Sequence, residues 1–196
     1  MQGPRIAARI AASGLACRRG DRLLFRGLSF TLEPGQALQV TGDNGIGKSS
    51  LLRLLAGLAR PFSGAVARQG TVGLVDERPA LDPQLPLGRA LGFWSRIDGG
   101  GPAGIEPLGL SALLDVPVRY LSTGQRKRAA MARLLGQDAA IWLLDEPLNG
   151  LDIHAAPLVE KMAARHCDKG GIVVVASHQR FALPGLTHLS VADFAA

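Results

Sequence analysis

The apolar residues of this chain fall into short blocks of different period. Ala139 to Leu144 and Ile172 to Ala176 are continuous, the second rich in valine, and both are flanked by turn or loop residues. Runs of that length with no polar face are what strands buried on both sides of a parallel sheet require. Ala37 to Val40 reads as another such strand, Leu51 to Leu58 as a helix, and Ala155 to Cys167 as a helix between the two longer runs. Nearer the start, Arg9 to Leu15 and Leu23 to Leu32 read as strands divided by the turn Arg19-Gly20-Asp21. Phe30 and Leu32 alternate with Thr31, as a half-buried edge strand does. Val66 and Val72 to Val75 are further strand candidates.

From Asp76 to Gln137 the character changes. Proline and glycine are frequent, Asp98-Gly99-Gly100-Gly101-Pro102 is a loop, and the spacing around Leu87 to Trp94 and Leu108 to Leu114 is helical. Ser122 stands as the N-cap of a long basic helix over Gln125 to Leu135. Almost nothing follows the last strand, Ile172 to Ala176. The expected architecture is one α/β domain over 1–196: a mostly parallel core sheet, an N-terminal antiparallel β subdomain, and an inserted helical subdomain at about 76–137.

Composition narrows this little. At 196 residues the chain can bury a real core, and 47% apolar content is ordinary for a globular protein. No apolar run approaches the length of a bilayer span. Cys17 and Cys167 have no metal-ligand spacing and are too few for a disulfide framework, which favours a reducing compartment. Met1 to Ala12 carries arginine and alanine without acids but lacks a secretory core, and reads as a short extension before the first strand. The net charge is +6 and the pI about 10.1, yet the arginines are spread along the chain without interleaved aromatics. That is a solvated surface suited to an anionic leaflet rather than a nucleic-acid footprint.

Gly42-Asp43-Asn44-Gly45-Ile46-Gly47-Lys48-Ser49 brings chemistry in. It has the form G-x-x-x-x-G-K-[ST] between a strand and a helix, the context of a phosphate-binding loop. Its glycines let successive amides point inward, and the helix that continues through Ser50 adds the positive end of its dipole. Lys48 would reach the β- and γ-phosphates and Ser49 would hold Mg²⁺. Ile141 to Glu146 is an apolar strand ending in two carboxylates: Asp145 is placed to hold Mg²⁺, and Glu146 to orient or deprotonate a water. His178 ends the strand from Ile172, at the carboxyl edge where ligands of open sheets bind, and can hydrogen-bond the γ-phosphate or the water. His154, His166 and His188 have no such context.

Leu121-Ser122-Thr123-Gly124-Gln125, shortly before a strand ending Asp-Glu, resembles the signature of the ATP-binding-cassette (ABC) ATPases. The resemblance covers essentially the whole chain. It implies a phosphate-loop fold of the cassette type, with Ser122, Gly124 and Gln125 clamping the γ-phosphate held by a second subunit, and Asn149-Gly150-Leu151-Asp152 crossing the interface. Two copies would sandwich ATP, and integral membrane subunits would receive the motion. Leu24 to Phe30, Ala132 to Leu135, and Gly170 through Gln179 resemble in particular the ATP-binding subunits of cytochrome c maturation haem exporters. That implies a peripheral position on the cytoplasmic face of the inner membrane and haem delivery as the work done. Nothing suggests haem binding by this chain, which has no C-x-x-C-H.

Two departures from the cassette pattern stand out. Where an aromatic ring usually stacks on adenine the chain has Arg18-Arg19-Gly20, so Arg19 is expected to stack its guanidinium on the base. Where a glutamine usually touches Mg²⁺ and the water, Val75-Asp76-Glu77-Arg78-Pro79 has Arg78, and either Glu77 substitutes or the contact is missing. Three other functions stay open: the ATPase of a different exporter or importer, a nucleic-acid-associated cassette ATPase, and a regulatory module without hydrolysis. The intact Lys48, Asp145, Glu146 and His178 set argues against the last.

Overall fold

In the computed structural model, residues 7–101 and 103–195 are described. The first half of the expected N-terminal extension, residues 1–6, and Pro102 at the end of the glycine loop lie outside them. In chain order the described residues form β1 (Arg9–Arg19), β2 (Arg22–Leu32), β3 (Ala37–Thr41), α1 (Lys48–Ala56), β4 (Ser63–Gln69), β5 (Val72–Val75), α2 (Leu87–Asp98), α3 (Thr123–Gly136), β6 (Ile141–Asp145), α4 (Ala155–Asp168), β7 (Ile172–Ala176) and β8 (Leu186–Ser190). Short 3-10 turns cover Ser111–Leu113, Val118–Tyr120 and Val191–Phe194.

Two sheets result. β2, β1 and β4 pair antiparallel in that order, and β5-β6-β7-β3-β8 form a parallel sheet. Every residue of β6 and β7 is buried, as their continuous apolar composition demands. Because side chains alternate across a strand, the two faces feed different cores. Ile141, Leu143, Ile172 and Val174 join α1 and the antiparallel sheet, while Trp142, Leu144, Val173 and Val175 join α3, α4 and the Leu87–Leu91 part of α2. The antiparallel sheet and the helices of residues 76–137 therefore pack on opposite sides of one central layer.

Several boundaries shift by a few residues from the sequence reading, and three differences bear on the fold. α1 starts at Lys48, directly from the glycine loop, instead of at Leu51. The helical spacing at Leu108 to Leu114 yields only a 3-10 turn, because Gly109 adopts φ 63°, a left-handed conformation that ends a helical turn. A further strand follows β7. β8 pairs with β3 at the sheet edge, and its exposed Thr187 and His188 hide it from a search for buried runs.

Trp142 and His166 stack with ring centroids 4.0 Å apart, and His166 Nε2 lies 3.1 Å from the Ala140 carbonyl oxygen, fastening α4 to β6. Burial lowers the imidazole pKa below its ordinary value of 6.5. Below that value the unfolded chain takes up a proton that the folded imidazole resists, so this contribution to stability is present above pH 6.5 and is lost as pH falls through the folded pKa. Urea midpoints measured from pH 7.5 downward are expected to fall, and His166→Gln to flatten that dependence. Burial also raises the Cys17 thiol pKa and pushes Cys167 to about 11; neither cysteine is paired.

Candidate functional site

The glycine loop joins β3 to α1 at the carboxyl edge of the parallel sheet. Gly47 caps α1 with φ 119°, and a Cβ there would lie 3.1 Å from the Phe25 ring, so only glycine lets the loop enter the helix this close to β2. Lys48 is buried, and its Nζ donates to the carbonyl oxygens of Gly42 at 2.6 Å and Asp43 at 3.2 Å. Asp43, Asn44, Gly45 and Ser49 are exposed, whereas Ile46 packs against the core on the α1 side. Ser50 is half-buried and hydrogen-bonded to Cys17.

Asp145 ends β6 at 5% exposure. Burial raises its carboxyl pKa, and a hydrogen bond with Ser49 and the charge of Lys127 pull it back down. The next residue turns out of the strand. Glu146 has φ 44°, a left-handed backbone uncommon for a side chain of this size, and its N–H donates to the Ala176 carbonyl at 2.8 Å. This redirects the carboxylate toward the residues after β7: Oε2 accepts from Ser177 Oγ at 3.1 Å, and Oε1 lies 3.1 Å from His178 Nδ1. Ser177 Oγ also accepts from the Gln179 amide, and Gln179 Nε2 donates to Asn149 Oδ1 at 3.1 Å. Beneath them, buried Gln39 donates from Nε2 to the carbonyls of Gln179 and Ser177.

The fold thus unites Lys48 and Ser49 with Asp145, and Glu146 with His178. The remaining expected residues sit elsewhere. Ser122 Oγ accepts from the Gln125 amide and Gln125 Oε1 accepts from the Ser122 amide, a reciprocal cap on α3. Gly124 is pressed against the Asn149–Asp152 loop, where a Cβ would stand 2.3 Å from the Gly150 oxygen. Asp152 accepts from the amides of His154 and Ala155, which hold its carboxyl below the usual range and start α4. Among the described residues, none of Ser122, Gly124, Gln125 and Asp152 hydrogen-bonds to its own chain's glycine loop.

Arg19 is exposed at the end of β1, and it is Arg18 whose guanidinium lies over a ring, 5.0 Å from the centroid of Phe62. Glu77 and Arg78 are exposed on the loop after β5, where Asp76 accepts from the Arg78 amide at 2.9 Å and faces Arg53 at 3.6 Å. Arg78 and Pro79 border a groove of about 320 Å³ between the β5 side of the core and Ala130, Arg133 and Leu134 of α3.

Three residues escaped the sequence reading: Gln39, Ser177 and Lys127. Gln39 was visible as the one polar side chain inside the run Ala37 to Val40. Lys127 looked like one more surface cation in a basic helix, yet it is 8% exposed and its Nζ donates to the Asp145 carbonyl at 3.1 Å. Burial lowers its pKa, and the nearby carboxylates, Asp145 foremost, raise it.

A glycine loop closing on its own lysine, beside a strand-end aspartate and a glutamate held by a histidine, defines a phosphate-loop ATPase. Residues 25–149 match the family model described as ABC transporter, and the chain belongs to that family as one of its ATPases. It is 56% identical to the cytochrome c biogenesis ATP-binding export protein CcmA of Novosphingobium aromaticivorans, over 94% of this chain and 96% of that protein. The CcmA of Zymomonas mobilis is 50% identical over 96% of this chain and 87% of its own length. Among solved structures, an ABC transporter in an inward-facing conformation superposes with a TM-score of 0.74 at 26% identity, covering 88% of this chain and 74% of that one.

The cap at Ser122 separates folding from chemistry. Ser122→Ala is expected to destabilise the chain by about 1 kcal/mol in urea unfolding. Ser122→Asp restores the cap and the midpoint; were Ser122 to face a phosphate, ATP turnover would stay lost, because a carboxylate repels a phosphate.

Proposed function

We propose that this chain binds Mg·ATP and hydrolyses it as the ATP-binding subunit of a membrane complex for c-type cytochrome maturation. Its work is haem delivery: moving haem, or freeing a haem-loaded chaperone, for attachment outside the cytoplasmic membrane. The near full-length likeness to cytochrome c biogenesis ATP-binding export proteins carries this reading. The whole chain acts as one ATP-binding unit, with residues of about 76–137 as its helical subdomain. It sits on the cytoplasmic face of the inner membrane, as a peripheral partner of integral membrane subunits. Haem stays with those partners and nucleic acid plays no part.

In the proposed site the amides of Gly42 to Ser50 and the Lys48 ammonium hold the phosphates. A Mg²⁺ ion fits the donors present, since Ser49 and Asp145 offer oxygen only, as a hard cation requires. Among the described residues no group of three or more His, Cys, Asp or Glu is arranged to hold a metal, so phosphate oxygens and water would complete the shell. Bound there, Mg²⁺ neutralises charge on the phosphates. Glu146, held by Ser177 and His178, orients the attacking water and accepts its proton. Two chains pair with ATP between them: Ser122, Gly124 and Gln125 of each, with Asp152, meet the nucleotide on the other. Their place apart from the glycine loop of their own chain among the described residues, with Gly124 against the Asn149–Asp152 loop, supports this arrangement.

In a strain whose only copy carries Lys48→Ala, covalently bound haem in c-type cytochromes is expected to disappear while other haem proteins persist. Unchanged cytochromes, with the variant expressed and unable to bind ATP, would remove haem from the function and leave the ATPase. Arg19→Ala is expected to weaken ATP binding about threefold to tenfold if the guanidinium stacks on adenine. Nucleotide titration with unaltered affinity would reject that role.

A further inference from the structure

Lys127 is a buried ammonium whose only hydrogen bond among the described residues is the one to the Asp145 carbonyl oxygen. Burying a charge is costly unless it is compensated, and an apolar residue of similar volume often serves packing equally well. The carboxylates of Asp145, Asp76, Glu77 and Glu146, which come from the end of β6 and the loop after β5, offset part of that cost. The cation therefore stands against the groups proposed to act on ATP, held to the Asp145 backbone from the α3 side.

Its helix gives this position a second meaning. α3 begins at the Ser122 cap, touches the Gly150 backbone through Gly124, and reaches Lys127 three residues later, about 4.5 Å further along its axis. One rigid rod thus contacts the Asn149–Asp152 loop at its start and the last residue of β6 a turn later.

We propose that Lys127 is a positioning residue that fixes the Asp145–Glu146 turn from the α3 side and ties it to the signature end of that helix. Displacement of that end by a nucleotide on the partner chain is then carried to the carboxylates of the chain's own site. This rests on the reading of Asp145 and Glu146 as ATPase carboxylates.

The test uses the full chain co-purified with its membrane subunits, comparing Lys127→Met, Lys127→Gln and Lys127→Arg, with Glu146→Gln as control. Nucleotide affinity is measured by titration and kcat at saturating Mg·ATP. Lys127→Met is expected to bind ATP within about twofold of the parent while kcat falls about tenfold or more. Lys127→Gln, which keeps a donor without the charge, should resemble it, and Lys127→Arg should recover at least half the rate. Turnover of Lys127→Met within about twofold of the parent, a loss matched by lost ATP binding, or no rescue by arginine would each overturn the proposal. Should both uncharged variants fail to fold, Lys127 is a structural residue and the proposal falls as well. If Glu146→Gln turns over normally, the reading of the site itself has failed; if it is inactive while Lys127→Met is fully active, only the present inference has.

Discussion

Ala176 is the row on which the site depends. In the parallel sheet it lies opposite Asp145 on one side and Val40 on the other, so β6, β7 and β3 run out at the same level. The hydrogen bonds that continue this row carry it into the loops: the Glu146 amide to the Ala176 carbonyl, and the Ser177 amide to the Val40 carbonyl at 3.2 Å. Everything chemical hangs from that edge. A slip of one residue between β6 and β7 would exchange the faces of every side chain and turn Trp142 into the core that now takes Leu143. Burial on both faces forbids this, so the pure hydrophobic specification of two strands fixes the positions of three charged loops.

The edge is also where the backbone departs from comfortable geometry. Glu146 occupies a left-handed conformation that costs on the order of 1 kcal/mol, and it does so while anchored by its own amide and by two side-chain partners on its carboxylate. An extended continuation would have sent the side chain to the face opposite Asp145. The left-handed turn directs it over β7 instead, to Ser177 and His178. Asp145 and Glu146 are adjacent in sequence but belong to different neighbourhoods, one desolvated beside Ser49 and the other 13% exposed beside the open ring of His178. Such separation is what lets neighbouring carboxylates take different roles.

Much of this could be read from residues alone. The glycine loop, the strand ending Asp145-Glu146, His178 and the capped helix at Ser122 were all legible, because each is a local pattern whose geometry the backbone dictates. β8 was not, since an edge strand with exposed Thr187 and His188 carries neither a buried run nor a clean alternation. Nor was the Leu108 to Leu114 segment, where apolar spacing suits a helix but Gly109 breaks it. Gln39, Ser177 and Lys127 matter through what meets them from more than 15 residues away, and composition does not encode that meeting. Arg19 has a position but no described ring partner, whereas its neighbour Arg18 covers Phe62.

The two cysteines lead to a practical property of the molecule. Cys17 lies under the antiparallel sheet beside Ser50, and Cys167 under the end of α4, with its thiol pushed to about 11. Near neutral pH very little thiolate forms and almost none of it meets solvent, so maleimides have no ready target in the folded chain. Ile153, by contrast, stands 83% exposed next to Asp152, on the loop that Gly124 abuts. The native background is therefore chemically silent, and a single cysteine introduced at that loop would carry a spectroscopic label without any prior removal of natural thiols.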